Sequence, residues 1–219
     1  MKLMSLYRNL SRGCSFALLL AALSIMLPSA FSCHAASPAQ SAYTTLLAKL
    51  QAPAGVSMKF SASGDGAAAK GTALLKGAKF QIRLTDGTAV WCDAKNMWTY
   101  NPRTKETTLT SPSATELAQT NPAIAIARNP ALFTPALIKA ADGGRVLQLS
   151  PAKGKTALGL SCVWIRLNTD GTPASIRVKS ADGRQGAMKI ESFSHANAQD
   201  NDFRYPASKY KGVQVLDLR

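Results

Sequence analysis

From Val56 onward the chain beats in twos. Val56, Met58 and Phe60 alternate with Ser57, Lys59 and Ser61 up to the turn Gly64-Asp65-Gly66, which is the period of a strand with one buried face. Phe80, Ile82 and Leu84 alternate with Lys79, Gln81 and Arg83 before Asp86-Gly87, and Val90–Cys92 and Met97–Tyr100 flank a turn at 93–96. A short strand is predicted at Thr107–Thr110. The beat returns at Val146–Leu149, Leu160–Leu167, Ser175–Lys179 and Ala187–Phe193, with turn signals at Asp142-Gly143-Gly144, Asp170-Gly171 and Asp182-Gly183. Strands spaced about a dozen residues apart and joined by tight turns predict an antiparallel meander curling into a barrel or half-barrel.

Helical periodicity interrupts this beat. Tyr43, Leu46, Leu47 and Leu50 form one stripe of a helix predicted over 41–50, and Pro53 ends it. The Ala-rich stretches 115–128 and 130–139 break the two-residue rhythm between strands, with restarts at Asn121-Pro122 and Asn129-Pro130. They predict a helical insert over one mouth or face of the sheet. Met58, Phe60, Leu75, Phe80, Ile82, Leu84, Ile165, Leu167, Ile176, Val178, Met188 and Ile190 are expected on the concave face. Periodicity leaves open whether they enclose a packed core or a cavity.

The start of the chain has a different pattern. Lys2, Arg8 and Arg12 precede the apolar run 14–27, then Pro28 and small residues through Ala35 and Ala36, which has the form of a cleaved export signal and is short for a membrane span. The expected organisation is a signal peptide at 1–35 and one domain at 36–219. Lipidation at Cys33, after Ala30-Phe31-Ser32, is the alternative. Of 219 residues 26 are Lys or Arg and 12 Asp or Glu, a net +14. The first 35 residues hold three basic and no acidic residues, so +11 stays with the domain. Many of these cations alternate with apolar residues, the pattern of a solvated sheet face. Nucleic acid is not an expected partner, since an exported protein does not meet it and no stacking motif is present. An anionic membrane surface or an acidic partner suits the charge better.

Cys92 and Cys162 remain in the exported chain. A disulfide closing a long loop and a pair of separate buried thiols are both open readings. The search for catalytic chemistry finds no set. His195 is the lone histidine of the domain, in a polar turn-like run at 194–202, and Asp65, Asp86, Asp142, Asp170 and Asp182 stand where turns are made. Paired carboxylates, a zinc set and a phosphate loop are not indicated, so neither an enzyme nor a cofactor is expected.

The segment 71–110, GTALLKGAKFQIRLTDGTAVWCDAKNMWTYNPRTKETTLT, resembles the sheet of the LolA family of periplasmic lipoprotein carriers. The likeness lies in a Gly-x-x-x-hydrophobic strand, the Asp86-Gly87 to Trp91 turn and strand, and Trp98-x-Tyr100-Asn101-Pro102. Residues 121–129 resemble the family's lid-helix region. Phe203 to Pro206 and the close Gly212 to Arg219 resemble the carboxyl ends of Bacteroidetes-type members.

The resemblance implies an unclosed antiparallel β-barrel under a helical lid, and a monomeric chaperone that ferries acylated lipoproteins from inner to outer membrane. Its implied partners are the cargo lipoproteins, an inner-membrane lipoprotein-releasing transporter and an outer-membrane acceptor. The acyl site it implies comprises Met58, Phe60, Leu75, Phe80, Ile82, Leu84, Ile165, Leu167, Val178 and Ile190, with Ile124, Ile126, Leu132 and Phe133 on the lid. A periplasmic lipid- or lipoprotein-sensing module of the same fold is the alternative, and a structural envelope protein with a filled core is a third. One departure stands out: many members carry an Arg-Pro pair that fastens the lid, where this chain has Gly77-Ala78 between Lys76 and Lys79. Lys79, Arg83 and Arg128 are open as substitutes.

Overall fold

The computed structural model describes residues 36–219 apart from 65–66, 115 and 118–121. The proposed signal peptide with Cys33, the Asp65-Gly66 turn and the beginning of the predicted insert lie outside the described residues. The two-residue beat builds a single sheet of twelve strands: β1 (Val56–Gly64), β2 (Ala67–Lys76), β3 (Lys79–Leu84), β4 (Ala89–Cys92), β5 (Met97–Asn101), β6 (Glu106–Thr110), β7 (Phe133–Lys139), β8 (Arg145–Pro151), β9 (Leu160–Leu167), β10 (Pro173–Ser180), β11 (Gln185–His195) and β12 (Gln214–Asp217). Their spatial order is β12-β6-β5-β4-β3-β2-β1-β11-β10-β9-β8-β7. Two antiparallel meanders, β1–β6 and β7–β11, therefore join along β1 and β11, while β12 adds in parallel beside β6. The ends do not meet, so the sheet is an unclosed half-barrel.

Register places the concave set as the alternation requires. Phe60 stands opposite Ile190 and Gly71, and Ile82 opposite Ala73 and Val90. Ile176 stands opposite Met188 and Ile165. These side chains share one face with Leu147, Leu149 and Val163, here called the inner face. β2 does not show in the alternation because its inner positions Ala69, Gly71 and Ala73, before Leu75, carry small side chains that give no apolar beat, and Leu74 beside Leu75 points outward. At Gly71 a Cβ would collide with the carbonyl oxygen of Arg83, so no larger residue fits where β2 and β3 approach.

The first helix, α1 (Pro38–Leu50), begins three residues before its predicted start. Ser37 caps it by accepting from the Gln40 amide at 3.2 Å, and Pro38 occupies the first turn, where its missing N–H is harmless. α1 buries Tyr43, Leu46 and Leu50 and packs on β7, β8 and α2 (Pro122–Arg128). In α2 Ala123–Ala127 are all buried, which is the pattern of a helix enclosed on every side. Gln51 Nε2 donates to Ala127 O and Tyr43 Oη to Pro130 O, tying the two helices together.

The second half of the predicted insert is corrected. Residues 130–139 are a short 3-10 turn (Pro130–Leu132) followed by strand β7, so Phe133 is a strand residue. Phe133, Pro135 and Leu137 point inward against Pro151, Leu149 and Leu147, a two-residue beat hidden by the alanines and proline. As the last strand β7 is an edge, where a sheet tolerates proline.

The disulfide reading is also corrected: Cys92 and Cys162 are both free. Cys92 is an inner residue of β4 opposite Phe80, whereas Cys162 stands opposite Lys179 on the outer face of β9. Five strands lie between β4 and β9, so the thiols do not meet. Burial raises the pKa of both. His195 ends β11 as an exposed residue opposite Val56.

After β11 the chain doubles back as a strap over the outer face of β3–β6. The 3-10 turn Asp200–Phe203 lies on β3 and β4 and buries Phe203 completely. Tyr205 and Tyr210 then meet Trp91 edge-on, each at 5.5 Å between ring centres, and Tyr210 meets Tyr100 at 4.6 Å. Lys79 pairs with Asp200 at 2.8 Å, Lys76 donates to Ala198 O at 2.8 Å, and Gln81 donates to Asp202 O. β12 finishes the strap by pairing with β6.

Candidate functional site

The helices fill one part of the inner face and leave another part hollow. Ile165 and Phe80 are fully buried, and Leu75, Leu167, Ile190, Ile124, Ile126 and Phe133 are buried with them in one apolar cluster. Leu132 and Val178 are half-buried against that cluster. Met58, Phe60, Ile82 and Leu84 instead line an apolar pocket of about 240 Å³, together with Ala62, Ala69, Ala73, Val90 and Met188. Of the residues proposed for an acyl site, the structure thus brings four to this pocket, sets Val178 at the edge of a separate groove, and gives the rest packed surroundings.

The hollow has a sequence cause. Where β8 and β9 present Leu and Val inward, β1 and β2 present Ala62, Ala69, Gly71 and Ala73, so the strands are flanked by missing volume. Leu84 is half-buried at this level, opposite Gly71. The wall carries no charged side chain, and the two methionines, Met58 and Met188, supply flexible, polarizable surface suited to an apolar guest of variable shape. A lined apolar cavity of about 150 Å³ takes up benzene; this larger one fits a length of alkyl chain.

Met188 was within reach of the period-two pattern. Ala62, Ala69 and Ala73 were not, because a small residue inside a strand reads as neutral until its neighbours are known.

The acidic residues take up turn work. Asp86 Oδ1 accepts from the Thr88 amide at 2.8 Å and Asp170 Oδ1 from the Thr172 amide at 2.9 Å, and Asp142 and Asp182 accept likewise from Gly144 and Arg184. These bonds hold the carboxyls below their usual pKa, with Arg166 the largest influence on Asp142 and the Thr172 hydroxyl on Asp170. Among the described residues no group of three or more His, Cys, Asp or Glu gathers as a metal set. Of the possible lid fasteners, Lys79 and Arg83 are outer-face residues, Lys79 bound to the strap and Arg83 donating to Gln81, while Arg128 ends α2.

A half-open sheet wrapped around two helices and an apolar pocket defines a binding protein for apolar ligands. Residues 33–143 match the family described as outer membrane lipoprotein carrier protein LolA, and the chain belongs to that family. No curated protein matches it. Among solved structures, an uncharacterized conserved protein from Thermus thermophilus is similar at 13% identity and a TM-score of 0.52, over 82% of this chain and 98% of that one. A LolA superfamily protein from Nitrosomonas europaea is similar at 14% identity and a TM-score of 0.44, over 78% and 99% of the two chains. A chain of the Pseudomonas aeruginosa MucA/MucB complex follows at 10% identity and 0.46, over 77% and 61%. The likeness to the Thermus protein, over about four fifths of this chain, supports the fold.

Proposed function

We propose that this protein is a periplasmic chaperone that takes the acyl chains of lipoproteins into the inner pocket and carries them from the inner to the outer membrane. The observation that carries the reading is the uncharged pocket of about 240 Å³ in a member of the carrier family. Each methylene moved out of water contributes about 0.8 kcal/mol, so a lipoprotein does not cross the periplasm with its chains bare. Met58, Phe60, Ile82 and Leu84, with Ala62, Ala69, Ala73, Val90 and Met188, form the first contact for a chain. The buried set around Ile165, Ile124 and Ile126 becomes contact surface if α2 shifts for larger cargo. The export signal supports a place between the membranes, and a transporter and an outer-membrane acceptor are the partners at either end.

The test is release of newly made lipoproteins from spheroplasts of the host on addition of the purified exported protein. A soluble one-to-one complex is expected, and Leu84→Glu should abolish it while leaving the protein folded, because a charge in an apolar pocket is strongly penalised. Ile165→Glu is the wrong probe, since that side chain is fully buried in packed core and the charge would unfold the domain. If wild type releases nothing yet still binds a fluorescent fatty acid, the carrier reading gives way to a lipid-sensing one.

A further inference from the structure

The strap covers the outer face of β3–β6 and reaches β2 through its last residue, Lys76, which donates to Ala198 O. Beyond Lys76, the outer face of the next five strands, in the order β2-β1-β11-β10-β9, has no cover among the described residues. We propose that this face docks on an anionic phospholipid bilayer.

Every Lys and Arg in these five strands points outward, and the acid they contribute is Glu191, at the β1–β11 bulge region. The cations run in rows across the sheet. Lys70 faces Ser61, Ser61 faces Lys189, Lys189 faces Ser175 and Ser175 faces Arg166, while Lys59 stands in the row on one side. On the other side Ser63, Ala187, Arg177 and Trp164 form a row, with Lys179 beyond. Arg166 is paired with Asp142. Lys59, Lys70, Arg177, Lys179 and Lys189 have no ion pair among the described residues, so five positive charges share one face without local neutralisation.

Most residues between them are small, Ser61, Ser63, Thr72, Ser175 and Ala187 among them, which leaves the ammonium and guanidinium groups standing above a shallow floor. A groove of about 350 Å³ opens at the edge of this floor, lined by Ser63, Ala187, Trp164, Arg177, Gln185 and Val178 and by backbone at Gly64 and Gly186. The Arg177 guanidinium lies 5.9 Å from the centre of the half-buried Trp164 ring. A tryptophan flanked by long basic side chains is the combination that settles at a membrane–water boundary, the indole among headgroups and the cations on phosphates.

The occupant follows from what the face lacks. A protein partner needs a buried apolar centre with matching shape, and the large apolar side chains on this face, Trp164 on β9 and the half-buried Leu74 on β2, stand on its two opposite border strands and form no common centre; the exposed Ile138, Val215 and Leu218 belong to other strands and the tail. A charged bilayer needs only charge and an interfacial anchor, and both are present. The inference stands independently of what the inner pocket holds.

The experiment is sedimentation of the exported protein with vesicles of phosphatidylglycerol and phosphatidylcholine, against vesicles of phosphatidylcholine alone. Binding to the first that weakens with added salt is expected. Each cation contacting such a surface accounts for about five-fold in affinity, so Arg177→Gln/Lys179→Gln/Lys189→Gln should lose about a hundred-fold while fatty-acid uptake by the inner pocket is unchanged. Brominated lipid should quench Trp164, and Trp164→Phe should remove that component. Wild type that ignores the anionic vesicles, or a triple variant that binds them as wild type does, overturns the proposal. Capture of polyglutamate with no vesicle binding also overturns it, in favour of an acidic protein partner.

Discussion

The two meanders of the sheet are covered on opposite faces. In β7–β10 the inner face is packed, with Leu147, Leu149, Val163 and Ile165 fully buried and α1 lying on β7 and β8, Met188 of β11 turns to the pocket, and the outer face of β9–β11 is open to solvent. In β1–β6 the outer face of β3–β6 lies beneath the strap and its tyrosines, and the inner face keeps the apolar pocket. A sheet needs one well-buried side to be stable. Each meander satisfies this with a different piece of chain, and the side left over is free to bind. The two covers differ in quality. In the inner cover the polar groups of Tyr43 and Gln51 are hydrogen-bonded, whereas beneath the strap Trp91 Nε1, Thr107 Oγ1 and Tyr205 Oη are buried without a hydrogen-bond partner, and each such atom costs about 1–3 kcal/mol.

The sharpest attack on this comparison is at Trp91, which is fully buried where the strap meets the sheet. Trp91→Ala should cost about 3–5 kcal/mol in urea unfolding; a loss below about 1 kcal/mol would mean that the strap is ornamental to stability. The inner cover is probed by alkali. Burial pushes the Tyr43 hydroxyl up to about 12. Its folded pKa then lies above the unfolded value of about 10, so its contribution is complete below pH of about 10 and is lost as pH rises toward 12, by roughly 3 kcal/mol. Tyr43→Phe should flatten this alkaline limb, and an unchanged limb would place the titration elsewhere. The smallest effect concerns the strap's orphan hydroxyl. Tyr205→Phe removes a buried, unpaired group and should leave stability unchanged or raise it by about 1 kcal/mol. A destabilised Tyr205→Phe would show that the hydroxyl does find a partner.

Much of the sheet was legible because alternation is a local property. A strand half-buried in any fold must repeat in twos, so β1, β3 and β8–β11 show in sequence before any partner is known. The misreadings have local causes as well. Alanine and proline masked the beat of β7, and alanine and glycine that of β2. Of the pocket, Met58, Phe60, Ile82 and Leu84 were within reach because they are large and periodic. Ala62, Ala69 and Ala73 were not, since a cavity is made by volume that is absent.

By itself, then, the sequence determined which side chains of the periodic strands face inward, where the turns fall, that Lys59, Arg166, Arg177, Lys179 and Lys189 lie on outward positions of β1, β9, β10 and β11, and that the chain resembles a carrier family. These follow from nearest neighbours in the chain and from the two-residue pitch of a strand. Only the tertiary structure decided that Cys92 and Cys162 lie on opposite faces, that the tail straps β3–β6, and that α1 and α2 fill one stretch of the inner face but not the next. Packing is a contest between distant segments for the same surface, and its outcome depends on volumes and registers that no single segment contains.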